Sequence, residues 1–229
     1  TFKPEEQSLI NDYFEGVYNT ILVKDIVRRE KVRNVTQLEN VIRFVADNIG
    51  KPISVANIVK YINSKGEKIS DETVSNYLKY LCDAFLAIPI ERFDIHRKKL
   101  LESNNKHYFS DHGIRNYICA SNIRGSIEKI IENVVWNHLR GQGFDVTAGM
   151  LRAGEIDFVA TKADKRIYVQ ATYILASEET VKREFGNLAA IKDNYPKYVI
   201  SLDPITGGFD EYPGIEHFNL REFLKMNLH

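Results

Sequence analysis

Cysteine is almost missing from this sequence. Only Cys82 and Cys119 occur among 229 residues, and nothing in their spacing resembles a metal motif. That excludes a disulfide framework or a cysteine-built zinc site, and predicts two unpaired, buried thiols in a reducing, cytoplasmic compartment. An excess of one charge sign is also lacking: thirty-one basic residues face thirty-one acidic ones. No global field therefore draws the chain to nucleic acid, and any such contact must rest on a local patch. No apolar run reaches the roughly 18 residues of a membrane span, so the expected partners include no membrane. The opening "TFKPEEQSLI" lacks the basic start and apolar core of a signal peptide. It also lacks an initiator Met, as expected of a processed product or a piece of something longer. His107, His112 and His217 show no ligand spacing and are expected to be structural or exposed. Internal repeats and low-complexity segments are absent too. What remains, 44% hydrophobic and 27% charged residues, is the balance of a globular protein.

The first third has helical period. In "LINDYFEGVYNTILVKDIVRRE" the spacing of Leu9, Tyr13, Val17, Ile21 and Val27 predicts the apolar side of a helix or helix pair. "VTQLENVIRFVADNIG" carries a stripe of Leu38, Ile42, Val45 and Ile49, with Gly50 as a stop signal. Ser54 can cap a short helix that Gly66 ends, and Ser70 and Asp71 can cap another with Thr73, Val74, Tyr77, Leu78 and Leu81 on its stripe. Two short helices across a polar turn form a helix-turn-helix arrangement. "LAIPIERFDIHRKKLLESNNKHYFSD" reads as strand, basic loop and return strand, the wing of a winged helix over about Lys51–Ser110.

From Arg124 the pattern changes. "GSIEKIIENVVWNHLRGQG" is an amphipathic helix striped by Ile127, Ile130, Ile131, Val134, Val135 and Leu139, with Trp136 expected in packing or at a domain interface. The runs "FDVTAG", "EIDFVAT", "IYVQATYI" and "KYVISL" read as strands, with the helix "SEETVKREFGNLAAIKDNY" before the last. "IEHFNLREFLKMNL" adds a strand and a short closing helix. The expected fold is α+β, its second half a compact α/β unit with a mixed sheet.

Chemistry concentrates in "GEIDFVATKADKRIYVQATYIL". Residues two apart on a strand share a face, which pairs Glu155 with Asp157 and Gln170 with Thr172. The helix carries Glu128 and Glu132, four apart on one flank. A helix glutamate, a strand aspartate and a polar pair one strand later are the parts with which carboxylate-directed nucleases hold Mg²⁺ and activate water. Here the set is incomplete, since Gln170 offers a neutral amide oxygen and Thr172 no ammonium group. Losing a positioned general base costs about 10²–10⁴-fold in rate. An active metal nuclease, a degenerate nuclease-like fold and an unrelated polar sheet edge all remain open on the residues alone.

For nucleic acid, the second helix of the turn offers Ser75, Asn76 and Lys79, and the wing offers His96, Arg97, Lys98 and Lys99. Asp71 and Glu72 would face phosphates unfavourably. A winged helix used for protein contacts, its charges simply solvated, is the alternative. "KDIVRREKVR", Lys24–Arg33, is a second basic run that reads as a solvated face, an interdomain surface or a DNA contact.

These residues carry a resemblance. "GEIDFVATKADKRIYVQATYIL" resembles the core hairpin of the PD-(D/E)XK, restriction-endonuclease-like superfamily. Asp157 stands at its aspartate position, while Gln170 and Thr172 stand where it has an acid and a lysine. "IENVVWNHLRGQG" resembles its first helix, with Glu132 at the helix-glutamate position. Nearly the whole chain resembles the C-terminal half of a group of prokaryotic AAA+ type ATP-binding proteins, in which a domain of unknown function follows the ATPase. The matching pieces, in order, are "DYFEGVYNTILVKDIVRR", "NIGKPISVANI", "TVSNYLKYLCDAFLAIPIERFD", "YFSDHGIRN", "EIDFVATK", "IYVQATY" and "VKREFGNLAAIKDNYPKYVISLD". The resemblance implies a helical, winged-helix domain over 1–118 and a nuclease-like α/β domain over 119–229. It also implies a missing N-terminal ATPase domain as partner, while the winged-helix reading and its basic wing point to duplex DNA as a ligand. The sequence has no G-x-x-x-x-G-K-S/T motif, so ATP would enter only through the missing domain and no cofactor is expected in this part. The expected role is a non-ATPase, nucleic-acid-binding or regulatory module with a degenerate nuclease site at Glu132, Asp157, Gln170 and Thr172. The alternatives are a Mg²⁺-dependent DNA endonuclease with metal on Glu132 and Asp157, and a protein-interaction module docking on the ATPase.

Overall fold

The computed structural model describes residues 4–119, 127–152, 154–204 and 206–228. They fall into two compact units, Thr1–Pro89 with His107–Gly125, and Ile90–Lys106 with Ser126–His229. The expected division at 118/119 differs from this: residues 90–106, most of the expected wing, belong to the second unit.

The first unit is helical. Helix α1 (Pro4–Thr20) continues as a π-helical stretch, Ile21–Arg28. The expected stripe holds in part: Val17, Ile21 and Val27 pack against the core beside buried Tyr18, Leu22 and Ile26, while Leu9 and Tyr13 are 70% and 66% exposed. A spacing of four holds Tyr18, Leu22 and Ile26 in a straight line only where the turn is wider than 3.6 residues, which the π-helical stretch supplies. Helix α2 (Val35–Asp47) is capped by Asn34, whose side chain accepts from the Gln37 N–H at 3.0 Å. Its stripe of Leu38, Ile42 and Val45 is fully buried, as is Ile49 just beyond it. Each such side chain contributes about 1.5–3 kcal/mol by leaving water. Helices α3 (Val55–Ser64) and α4 (Asp71–Asp83) begin at Ser54 and Ser70, which accept from the Asn57 and Thr73 N–H groups at 3.2 and 3.1 Å. Gly50 and Gly66 take φ of 72° and 85°, the left-handed geometry that ends a helix. Helix α5 (His112–Ile118) completes this unit, capped by Asp111 and anchored by buried Arg115, whose Nε donates to the Ala46 carbonyl at 2.9 Å. Neither cysteine forms a disulfide; Cys82 is half-buried and Cys119 buried.

The second unit is built on a seven-stranded sheet. Strands β1 (Ala87–Asp94) and β2 (Lys99–Phe109) are the expected hairpin, and β3 (Asp145–Met150), β4 (Glu155–Lys162) and β5 (Lys165–Ala171) are the expected meander. β6 (Lys197–Ser201) and β7 (Ile215–Asn219) follow, giving the order β2-β1-β3-β4-β5-β6-β7. β1 runs parallel to β3 with Arg92 opposite Ala148, so the hairpin covers an edge that β3 would otherwise leave open. The sequence pattern gave no sign of this pairing. β5, β6 and β7 are mutually parallel, and helix α7 (Glu178–Ala189) supplies the crossover between β5 and β6. Phe185 and Leu188 of α7 pack with Ile156, Val159, Tyr168 and Val199 in the buried core. Helix α6 (Ile127–Gly141) buries Ile131, Val135, Trp136 and Leu139, and the short α8 (Leu220–Phe223) ends the unit. No helix among the described residues is long and apolar enough to cross a membrane.

Candidate functional site

β4 places Glu155 and Asp157 on one face, two residues apart, and α6 places Glu132 beside them. The residue at the centre is one that the sequence did not suggest, Lys106 of β2. Its ammonium Nζ contacts the Glu155 carboxylate and lies 3.4 Å from Glu132 Oε1 and 3.9 Å from Asp157 Oδ1. The Lys106 side chain is only 4% exposed. Burial alone would lower its pKa, but the three carboxylates outweigh it and hold the ammonium well above the ordinary lysine range. The converse holds at Asp157. Burial first, then Glu132, push its carboxyl above the usual carboxylate range against the pull of Lys106 and the Ala171 N–H.

The two polar positions on the next strand have structural duties. Gln170 is buried, and its Oε1 accepts from the backbone N–H of Asp157 at 3.2 Å. Asp157 returns the tie, its Oδ2 accepting from Ala171 N–H at 2.9 Å. Thr172 is buried just beyond β5, its N–H donating to the Ile200 carbonyl at 2.9 Å. The expected set of Glu132, Asp157, Gln170 and Thr172 thus converges on the carboxyl end of β5. Glu128, the other helix acid, is exposed.

Helix α7 adds a further acid that pattern reading passed over. Glu184 is buried, its Oε1 accepting from Arg183 Nε and Nη2 at 2.9 and 2.7 Å. Its Oε2 is buried with no hydrogen-bond partner among the described residues. Glu184 also helps to raise the Asp157 carboxyl. Arg183 is held above its usual range chiefly by its bonds to Glu184, with Glu128 and Asp157 adding to the effect. Among the described residues, no three carboxylate, histidine or cysteine side chains are grouped as a metal ion needs. The pair expected to hold Mg²⁺, Glu132 and Asp157, flanks the Lys106 ammonium group.

The expected nucleic-acid contacts are each exposed within their own unit. Ser75, Asn76 and Lys79 lie on the open side of α4, although the Ser75 hydroxyl donates back to the Asp71 carbonyl at 2.8 Å. His96, Arg97, Lys98 and Lys99 form the exposed turn of the hairpin. Asp94 shapes that turn by accepting from the Arg97 N–H at 2.8 Å, and Lys98 takes a φ of 51°. The expectation of structural histidines fits His217, whose Nε2 lies 2.8 Å from Ser201 Oγ in the interior and whose pKa burial lowers.

Fold and site together define a two-unit α+β protein whose second unit holds a carboxylate cluster centred on a lysine. A family model described as "Domain of unknown function (DUF8612)" matches residues 3–125, and the chain belongs to that family. The match takes in Lys106 but not the acids around it. An uncharacterised protein of Haemophilus influenzae is 34% identical over 196 residues, covering 86% of this chain and 48% of that protein. An uncharacterised protein of Methanocaldococcus jannaschii is 27% identical over 194 residues, covering 82% of this chain and 41% of that protein. The chain thus spans about half the length of the curated relatives it matches. No solved structure matches it.

Proposed function

We propose that this chain is a nucleic-acid-binding or regulatory module without an ATP site of its own, acting with a AAA+ type ATP-binding domain in a longer protein. In this reading α3, α4 and the β1–β2 hairpin are the parts of a winged helix, and the sheet of the second unit is a nuclease-like domain with reduced chemistry. The observation that carries the second half is Lys106. Its ammonium occupies the space between Glu132, Glu155 and Asp157, so the acids are matched by an internal cation. Gln170, at the second-acid position, spends its carbonyl oxygen on the Asp157 backbone. The exposed Arg97 and Lys98 support contact with phosphates, and the greater length of the relatives supports a further domain. Fluorescence anisotropy of labelled duplex DNA at rising salt tests the reading. Binding should weaken with salt and with Arg97→Ala combined with Lys98→Ala, and a chain that binds no duplex even at low salt would overturn nucleic-acid binding.

A Mg²⁺- or Mn²⁺-dependent endonuclease is the second reading. It is favoured by the same lysine, since Lys106 brings into the cluster an ammonium that Thr172 cannot offer. Metal-dependent cleavage of DNA, abolished by Asp157→Asn and by Lys106→Met, would establish it. Cleavage indifferent to both substitutions would mark a contaminating enzyme.

A further inference from the structure

The far end of the same sheet holds a cavity of about 400 Å³, within the size range of small-molecule sites. β4 and β5 are antiparallel, with Lys162 opposite Lys165 at this end, whereas the carboxylate cluster lies where Asp157 meets Ala171. Four residues of strand, roughly 13 Å, separate Arg166 here from Gln170 there. The walls are Phe144, Tyr195 and Tyr198, and the charged lining groups are Lys165, Arg166 and a single acid, Asp164. We propose that this cavity binds a nucleotide unit, its base stacked on the tyrosine wall and its phosphate held by Lys165 and Arg166. The site is separate from the hairpin turn assigned above to duplex DNA, and it calls for an unpaired base.

Three observations carry the inference. The Arg166 guanidinium lies 5.5 Å from the Phe93 ring centre and 5.4 Å from that of Tyr195, which fixes a cation at the aromatic wall. Tyr195 is 41% exposed. It is an aromatic surface of the kind on which bases stack whatever their sequence. The opposite wall is prearranged: Gln142 Nε2 donates to the Met226 carbonyl at 2.7 Å, and Gln142 Oε1 accepts from the Leu228 N–H at 2.9 Å. A site held open in this way loses little entropy on binding.

A free nucleotide and an unpaired residue of a single strand present the same chemistry, and titration calorimetry with AMP, UMP and a ten-residue oligothymidylate separates them. Binding of the oligonucleotide alone assigns the site to single strands, and binding of the mononucleotides alone assigns it to free nucleotides. In either case Tyr195→Ala should weaken binding about tenfold or more, with Tyr195→Phe restoring it. Lys165→Ala, on the surface, should lower the salt slope by about one. The loss caused by Tyr195→Ala should be the same with or without Arg97→Ala and Lys98→Ala, so failure here and failure of the duplex reading are distinguishable. No binding of any probe at low salt, or binding indifferent to Tyr195→Ala, overturns the proposal.

Discussion

Lys106 is a buried cation whose surroundings are supplied by two separate elements, α6 and β4. Its raised pKa lies above the ordinary value of 10.5. Its ionic contribution is therefore complete below that value and fades only as pH rises through the folded-state value, so it is intact across the neutral range. Lys106→Met would leave Glu132, Glu155 and Asp157 facing one another without their ammonium. Removing one side of a buried charge cluster costs about 3–5 kcal/mol, and urea unfolding at pH 7 should show that loss. Asp157 follows the same rule in a lower pH window, but here it is the charged form that folding disfavours. Its carboxyl sits above the ordinary 3.8 in the folded state, so the stability it confers is complete below 3.8 and lost as pH rises through the raised value. Asp157→Asn is therefore expected to be more stable than the parent at pH 8, with the gain gone by pH 4. Asn keeps an oxygen for the Ala171 N–H, and a net loss of stability at pH 8 would show that the charge at Asp157 is favourable.

At the scale of elements, β3 depends on a missing side chain. Its register against β4 shifts between Thr147 and Gly149. A Cβ on Gly149 would come within 2.8 Å of Val159 Cγ2, 2.9 Å of Ile95 Cδ1 and 3.0 Å of Ile156 Cβ. Gly149→Ala should therefore cost about 1–3 kcal/mol by overpacking, measurable as a lowered thermal midpoint. Much at this scale was legible beforehand. The stripe of α2, the serine caps of α3 and α4 and the strand–turn–strand of β4–β5 are local, and periodicity or capping chemistry within a short window specifies them. The first helix was legible at Val17, Ile21 and Val27, which pack against the core, whereas Leu9 and Tyr13 share their spacing but lie on exposed early turns of the helix. At the candidate site, Glu132, Asp157 and Gln170 were legible because strand alternation and helix spacing place them. Lys106 was not, because "SNNKHYF" has no local mark of a buried cation and its three partners lie far along the chain. Glu184 was hidden for a related reason: one acid among the polar residues of α7 reads as surface until packing buries it.

The whole molecule is two units threaded through one another in sequence. The second takes residues 90–106 from before its main body and returns the chain to the first at His107. A piece cut at the boundary expected from sequence, 119–229, would lose β1, β2 and Lys106 together. It should melt lower than a piece spanning 90–229, and should aggregate through the β3 edge that β1 otherwise covers. Equal melting of the two would mean that the hairpin adds nothing to the sheet. The pairing of β1 with β3 also has a bearing on time. Fifty-one positions separate Lys106 from Asp157, so a ribosome delivers the lysine well before the aspartate it will meet. The helices of the first unit form from neighbours in sequence, whereas this sheet closes through distant ones, and contacts of that kind slow folding. During synthesis the hairpin is therefore an early strand pair waiting for its sheet, and the Lys106 ammonium waits with it for the acids of α6 and β4.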